Sequence, residues 1–369
     1  MMGKRDVQIY FRLNWRLLAM EGRVSDANTP ANMPVTRRKS YGRSCVENPS
    51  LFWQTPAHLT TLGHRIRTSR GAARSRNIVS TADPEQVALL VKYEWKLAYV
   101  TPLYRFQHTQ LKLYSRHLSA FLVAEKQQGV AVEVGLDAGF KVTISTVLGV
   151  AETEDDADTI FIQIHSRPRF GTGALKPVWH GWLTCVNGDG EYLRSLPPDF
   201  VSLPLFCSSG PGSLTALVKL WFERTFDCNF GSLLLNSSTL NWLAALWTNS
   251  HSSSNIRFLK LTWTMPTQPA LDIMYTVNPQ DAWALWSSIH TEDGADDRIH
   301  IDEVQRFLNG LETHLFRHFK IYLSAGTLMK VSTSLGSAHH EGRIKIGSSD
   351  YISTLLSLLT ECALLRTPL

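Results

Sequence analysis

Two histidines and a nearby glutamate have a spacing that could hold a metal ion. His314 and His318 are four positions apart, with Glu312 just before them, in a stretch that we predict to be helical. Side chains four positions apart lie on one face of a helix, so two imidazoles at this spacing could bind zinc. A zinc hydrolase of this type needs glutamate directly after the first histidine, where Leu315 stands, and no third ligand is evident. We therefore predict a solvated or partner-facing helix and no metal site.

A second possible cation site is the acidic stretch that contains Asp155, Asp156 and Asp158. The glycine and the final glutamate of a calcium-binding EF-hand loop are missing, so we predict a solvated acidic loop. The sequence also lacks a GxxxxGK[ST] phosphate loop, a GxGxxG turn after a strand and a GxSxG nucleophile elbow. We therefore predict no catalytic residue, no cofactor and no enzymatic activity.

The cysteines are few and widely separated along the chain. Their number is odd and no two form a CxxC pair, a pattern typical of reduced intracellular thiols rather than of a disulfide framework or a zinc site. No apolar run reaches the roughly 18 residues that a membrane span requires, so we predict no membrane segment. The five cysteines are Cys45, Cys185, Cys207, Cys228 and Cys362.

Four basic residues near the C-terminus fall on three stretches that we predict to be short strands. Because side chains alternate between the two faces of a strand, some of these residues could share one face and approach DNA. The alternative is an ordinary solvated face, and the sequence favours neither. The four residues are Lys320, Lys330, Arg343 and Lys345.

The first half of the chain after residue 80 predicts helices followed by strands. Asp83 and Pro84 form a helix start, and apolar residues then follow helical spacing from Val87 to Trp95. A second helix is predicted over residues 111–126. Alternating patterns then predict an antiparallel meander of four strands over residues 130–134, 140–148, 159–164 and 178–186.

The second half mixes the two element types, so we predict an α+β fold with an antiparallel or mixed β-sheet packed with helices. The predicted helices cover residues 213–225, 239–247, 279–289, 302–317 and 351–365, with Asp302 as the cap of the fourth. The predicted strands cover residues 256–263, 271–277, 319–323, 328–334 and 343–346.

Charge divides the chain into two parts. The net charge is +5, but residues 1–80 contain 14 Lys and Arg against 4 Asp and Glu, so the basicity belongs to the leader. We predict that residues 1–80 form a basic, mostly disordered leader and that residues 81–369 form the folded body, with a possible subdivision near residues 200–212. Basic arms of this kind commonly bind nucleic acid.

Several long segments of the body resemble the centromere protein L family. The segments occur in the family's order and are not repetitive, so chance is a poor explanation. They are TPLYRF at 101–106, LKLYSRHLSAFLVAEKQQGVAVEVG at 111–135, LPLF at 203–206, WFERTFDCNF at 221–230, LNWLAALWT at 240–248, ALWSSIH at 284–290 and HFKIYLSAGTLMKVSTSLGSAHHEGRIKI at 318–346.

The resemblance implies a non-enzymatic structural subunit of the inner kinetochore. It implies a heterodimer with centromere protein N, whose family reads the nucleosome containing the centromeric histone H3 variant. Further implied partners are centromere protein C and other subunits of the constitutive centromere-associated network, with centromeric DNA close by. The implied location is the nucleus, at the centromere and kinetochore of the chromosome.

The late strands also suggest where a partner could bind. Short apolar strands near a chain terminus often form exposed sheet edges that accept a partner's strand. We therefore predict a partner surface on residues 328–334 and 343–346 and the last helix, the alternative being that these residues are core. The predicted anchors are Leu328, Val331, Ile344, Ile346, Leu355 and Leu359.

Two other functions remain open from the residues alone. One is a stand-alone DNA-binding protein that acts through the Arg-rich leader, and the other is a metalloenzyme at His314 and His318. The first would lose all function on deletion of residues 1–80, and metal analysis of the purified protein would test the second.

Overall fold

A long mixed β-sheet is the centre of the fold in the computed structural model. The structure describes residues 5–11, 84–128, 140–150, 153, 155–166, 174–250, 257–290 and 299–367. The helices in these residues are α1 (Pro84–Lys92), α2 (Leu111–Gln128), α3 (Gly190–Ser195), α4 (Gly212–Phe226), α5 (Ser237–Asn249), α6 (Pro279–Ile289), α7 (Ile301–Phe319) and α8 (Ile352–Leu364). The strands are β1 (Arg5–Phe11), β2 (Glu94–Val100), β3 (Leu103–Tyr104), β4 (Phe140–Val147), β5 (Thr159–Ser166), β6 (Lys176–Thr184), β7 (Phe200–Val201), β8 (Leu205–Ser209), β9 (Phe230–Ser232), β10 (Leu259–Met265), β11 (Leu271–Val277), β12 (Thr327–Thr333), β13 (Gly336–His339) and β14 (Arg343–Ile346).

The order of the strands mixes early and late parts of the chain. The main sheet has the strand order β1-β11-β10-β12-β13-β14-β2-β8-β6-β5-β4. Strand β9 also pairs with β2, at residues 98–100, which follow the part of β2 that pairs with β14. Neighbouring strands are antiparallel except for β1 and β11, which are parallel. Strands β3 and β7 form a separate antiparallel pair. The α+β class with a mixed sheet is therefore confirmed.

Helices cover the two faces of the sheet unequally. Alternation along β2 places Trp95 and Leu97 in one core cluster and Ala98 and Val100 in another, so the two clusters lie on opposite faces. The first cluster is built with residues of α1, α5, α6, α7 and α8, and it extends along the sheet from β11 to β4. The second is built with α2 and α4, and its strand residues from the main sheet come from β2, β4, β5, β6, β8 and β9. In the described residues, the second face of β10, β12, β13 and β14 therefore has no helix over it.

Local capping explains where several helices begin. The Asn278 side chain accepts a hydrogen bond from the Gln280 N–H at 2.9 Å, and Pro279 occupies the first position of α6, as predicted. At α7 the predicted cap was wrong: the helix begins one residue before Asp302, and the Glu303 carboxylate accepts from the His300 N–H at 2.7 Å. A carboxylate that reaches back in this way satisfies a backbone donor that the helix leaves free.

Two predicted elements differ from the structure, and several observed elements were not predicted. Trp95 does not continue the first helix: α1 ends at Lys92, and Trp95 lies on β2 between strands β14 and β8. Residues 319–323 are not a strand, because α7 extends to Phe319 and Lys320 then turns with a φ of 57°. Other elements that were not predicted are strands β3, β7, β8, β9 and β13 and helix α3.

Some predictions fall outside the described residues. They include the strand at 130–134 and the whole leader except β1, which was not predicted as a strand. The rest of the predicted meander is confirmed, since β4, β5 and β6 pair antiparallel in sequence order. The possible subdivision near residues 200–212 stays a prediction; β8 lies there and joins β2 to β6.

Candidate interaction surface

The six predicted apolar anchors lie in the core of this chain. Each is at most 3% exposed, on the face covered by α5 to α8. Strands β12 and β14 also have a neighbour on both sides, so the prediction that they form sheet edges is wrong. Partner binding through these residues stays a prediction, although their side chains are buried within this chain. The residues are Leu328, Val331, Ile344, Ile346, Leu355 and Leu359.

The opposite face of the same strands carries a row of basic side chains. Lys330 pairs with His339, His339 pairs with Arg343, and Arg343 pairs with Lys96 of β2. Directly opposed residues of antiparallel strands share a face, with Cβ atoms about 5 Å apart, so these four side chains form a line across four strands. Lys330, Arg343 and Lys96 are exposed and His339 is half-buried.

A second, parallel row lies next to the first. Lys345 is exposed and stands opposite Glu94 on one side and Ser337 on the other. The row continues through Ser332 to Lys260. We call the face that carries these two rows the open face.

Carboxylates balance part of this charge. Glu94 opposes Lys345, Asp272 accepts a hydrogen bond from Thr264 at 2.6 Å, and Glu341 forms an ion pair with Arg343. Both partners of that ion pair are about half exposed, so solvent screens it strongly. The open face thus carries three carboxylates and five basic residues, so it keeps a net positive charge. The basic residues are Lys96, Lys260, Lys330, Arg343 and Lys345.

Lys219 of α4 borders the open face beside Lys96. Its ammonium lies 5.8 Å from the ring centre of Phe206 and 5.5 Å from that of Phe230, which holds it by cation–π attraction. Partial burial lowers the pKa of Lys219 and the positive charge of Lys96 lowers it further, whereas the carboxylate of Glu223 acts in the opposite direction. An anion placed between two cations that repel each other stabilises the charged form of both.

The neighbouring charges also affect the pKa of His339. Burial lowers the pKa of this imidazole, and the charges of Arg343 and Lys330 lower it further, whereas Glu341 acts in the opposite direction. His339 is therefore neutral at pH 7 and leaves the row with three permanent charges.

The structure separates Lys320 from the other three predicted DNA-facing residues. Lys330, Arg343 and Lys345 lie together on the open face, but Lys320 follows the last residue of α7, a helix that packs on the other side of the sheet. Its ammonium lies 5.3 Å from the ring centre of Phe316. Lys96 was not predicted on this face, because the helical spacing of apolar residues continues to Trp95. The alternation in EWKLAYV is the signal that could have placed it on a strand.

Of the two histidines with metal-ligand spacing, His314 lies in the core and His318 is exposed. His314 is 3% exposed, and its Nδ1 lies 2.9 Å from the hydroxyl of Tyr275. Its pKa is lowered to about 4, mainly by burial and to a smaller extent by His318, whose ring centre is 4.4 Å away, and by Arg317. Within the described ranges, no group of three or more His, Cys, Asp or Glu side chains could hold a metal ion.

The acidic loop is not fully solvated, contrary to the prediction. Asp156 is 8% exposed and accepts backbone hydrogen bonds from Thr153, Asn187 and Gly188 at 3.0, 2.8 and 2.9 Å. Asp155 is more exposed and pairs with Arg194 at 3.0 Å. Asp156 therefore fastens this loop to the turn that follows β6.

The four described cysteines are free thiols. Burial raises the pKa of Cys207 and Cys228 to about 12 and that of Cys362 to about 11. Burial also raises the pKa of Cys185, and the nearby Asp156 carboxylate adds to this. A thiol with so high a pKa carries almost no thiolate at pH 7, so these four are poor nucleophiles.

A search of the described helices finds none with the length and apolar character that crossing a membrane requires.

Comparison with known proteins identifies the family. A family model described as centromere protein L matches residues 89–364. Centromere protein L of Danio rerio is 71% identical over 361 residues, which cover 97% of this chain and 98% of the relative. Centromere protein L of Homo sapiens is 43% identical over 287 residues, covering 77% of this chain and 82% of the relative. The protein of that name from Xenopus tropicalis is 40% identical over 304 residues, covering 82% and 86%.

The family match covers nearly the whole described body, including both core clusters and the open face. It agrees with the resemblance seen in the sequence segments. The chain belongs to the centromere protein L family and is a centromere protein of the kinetochore.

Proposed function

We propose that this chain is a non-enzymatic structural subunit of the inner kinetochore. It pairs with centromere protein N as a heterodimer and helps to link nucleosomes containing the centromeric H3 variant to the rest of the kinetochore during chromosome segregation. Centromere protein C and other subunits of the constitutive centromere-associated network are its further partners. It acts in the nucleus, at the centromere.

The open face supports this proposal most directly. Strands β12, β14 and β2 bring Lys330, Arg343 and Lys96 into one line. The half-buried Lys219 lies next to this line, and burial and the positive charge of Lys96 lower its pKa. A DNA backbone places successive negative charges along such a line, and each neutralised phosphate releases bound counterions. The open face is thus suited to contact centromeric DNA held nearby by the partners.

The described ionisable groups support binding rather than catalysis. The buried Asp156 and His314 are engaged in hydrogen bonds, and the described thiols have raised pKa values. A general acid or base must instead point at a substrate with a pKa near the working pH. Asp156 and His314, however, point at hydrogen-bond partners within the fold.

Charge reversal on the open face tests the proposal. The heterodimer with centromere protein N carrying Lys96→Glu, Lys330→Glu and Arg343→Glu should keep its assembly but bind nucleosomal DNA at least about tenfold more weakly at physiological salt. The slope of log affinity against log salt should fall by about 3, because three phosphate contacts are lost.

A matched control uses the same charge change elsewhere. Lys112, Arg116 and Lys141 are also exposed but lie on α2 and β4, away from the open face. Their reversal to Glu should leave the salt slope unchanged. Equal loss of affinity in both triple variants would show that net charge, and not the open face, controls binding. Failure of the wild-type chain to form the heterodimer would refute the pairing itself.

The charge of the leader supports a second candidate, a stand-alone DNA-binding protein. Residues 1–80 carry 14 Lys and Arg against 4 Asp and Glu. Deletion of residues 1–80 separates the two candidates. A kinetochore subunit keeps partner binding and centromere targeting after this deletion, whereas a protein that acts through the leader loses both.

A further inference from the structure

One edge of the main sheet is covered by a segment from far away in the chain. Strand β11 pairs with β10 on one side and with β1 on the other. Residues 12–83 separate β1 from α1, and the family match begins only at residue 89. The strand that closes this edge therefore comes from outside the family-matched body.

The pairing of β1 with β11 is extensive and has a defined register. Seven successive residue pairs run from Arg5 with Leu271 to Phe11 with Val277, in parallel orientation. In the sequence, β1 alternates apolar Val7, Ile9 and Phe11 with Asp6, Gln8 and Tyr10. The register pairs the three apolar residues with the buried residues of β11, namely Ile273, Tyr275 and Val277. A shift by one position would pair Asp6 or Gln8 with them instead, so the pattern specifies this register.

Strand β11 is held in place independently of β1. Its side chains Ile273, Tyr275 and Val277 are at most 2% exposed and belong to the main core cluster. The Tyr275 hydroxyl lies 2.9 Å from His314 Nδ1 of α7, and β10 pairs with all seven residues of β11. The outer N–H and C=O groups of such a strand form a preformed template for another strand.

We propose that the outer edge of β11 is a strand-acceptor site and that β1 is its exchangeable occupant. The site takes a seven-residue extended segment in parallel orientation, with apolar residues at alternate positions, and β1 is the segment that this chain supplies. Main-chain hydrogen bonds provide the binding, and the alternate apolar residues set the register. Any other strand that adds to this edge must first displace β1.

A proline scan of β1 in the full-length chain tests the pairing. Proline lacks an N–H, and alternate N–H groups of an edge strand point towards its neighbour or away from it. Gln8→Pro and Ile9→Pro therefore remove a ladder donor in one case and a donor that faces away in the other. Each is compared with the alanine variant at the same position, because Ile9 is also one of the apolar residues that set the register. Hydrogen exchange should show about tenfold faster exchange of alternate Leu271–Val277 amides in one variant and little change in the other. Amides of Leu259–Met265 that bond to β12 should keep their protection in both.

A peptide in trans tests exchange at the site. A synthetic peptide of sequence RDVQIYF, added to the ladder-breaking variant, should restore protection to Leu271–Val277, and a peptide of the same composition without the alternation should not. Equal exchange of β11 in wild type and both proline variants would overturn the proposal. Protection that returns only as protein concentration rises would also overturn it, because a second copy would then be the occupant.

Discussion

The carboxylate of Asp156 accepts a hydrogen bond at 2.9 Å from the backbone N–H of Gly188, across the gap between the loop before β5 and the turn after β6. The same carboxylate accepts from Asn187 at 2.8 Å and from Thr153 at 3.0 Å. A single buried side chain thus satisfies three backbone donors.

Asp156→Ala should lower the free energy of unfolding by about 2–3 kcal/mol, because three backbone N–H groups lose a buried, charged acceptor. Asp155→Ala is the matched control, since its ion pair with the largely exposed Arg194 should contribute about 0.5 kcal/mol or less. Urea unfolding followed by circular dichroism measures both. Similar losses in the two variants would contradict the role assigned to Asp156.

Gly231→Ala should destabilise the sheet by about 1–3 kcal/mol. A Cβ at Gly231 would collide with the ring of Tyr99, its direct partner on β2. At Gly212, the first residue of α4, a Cβ meets nothing within 4 Å, so Gly212→Ala should be neutral or slightly stabilising. Thermal unfolding of the two alanine variants compares them; an unchanged midpoint for Gly231→Ala would argue against close packing of β9 on β2.

Adjacent residues of β14 should respond in opposite ways to charge. Ile344 is 1% exposed and Arg343 is exposed. Ile344→Asp buries an unpaired charge and should give insoluble or unfolded protein, whereas Arg343→Glu should change stability by less than about 0.5 kcal/mol. The soluble fraction and the unfolding midpoint report the difference. Soluble, folded Ile344→Asp protein that fails to bind a partner would instead place Ile344 on an interface.

Stability should depend on pH through His180. This residue is 4% exposed and stacks between Tyr93 and Phe161, with ring centres 4.5 and 6.0 Å away. Burial lowers its pKa to about 4, with smaller contributions from the charges of His165 and Lys92. Between pH 6.5 and 4, His180 binds a proton more readily in the unfolded chain than in the folded chain. The contribution of neutral His180 to the free energy of unfolding is therefore complete above pH 6.5 and falls as the pH drops towards 4.

Replacing the ring isolates this effect. His180→Phe should flatten the pH profile between pH 6.5 and 4 by about 1–3 kcal/mol, measured as the free energy of unfolding in urea at each pH. His117→Phe is the control, because His117 is exposed on α2. A profile for His180→Phe that retains the wild-type slope would assign the acid sensitivity to other groups.

Local signals predicted many elements correctly. The strand Leu271–Val277 and the helix ending at Ile289 match the predictions because alternation and an Asn-Pro start are encoded within a few neighbouring residues. Trp95 was placed wrongly because its helical spacing competes with pairing to β14 and β8, and such partners are far away in sequence. The same non-local pairing buried Val331 and Ile344 in strands that were expected at an edge.

The basic surface was predictable only in part. Alternation correctly suggested that Lys330, Arg343 and Lys345 could share a face. The contribution of Lys96 depends on the insertion of β2 beside β14, which no local pattern reports. Lys320 was assigned to a strand because Phe319, Ile321 and Leu323 around it are apolar, but α7 continues to Phe319.

The place of β2 between β14 and β8 has a consequence for biosynthesis. A ribosome releases β2 early and β14 almost last, so one side of β2 must wait for nearly the whole polypeptide before its hydrogen bonds can form. Shortened translation products that stop before Arg343 would lack β14, so the backbone groups of β2 that pair with it would have no partner strand. Such products would be exposed to aggregation and degradation, so only chains synthesised almost to completion would accumulate.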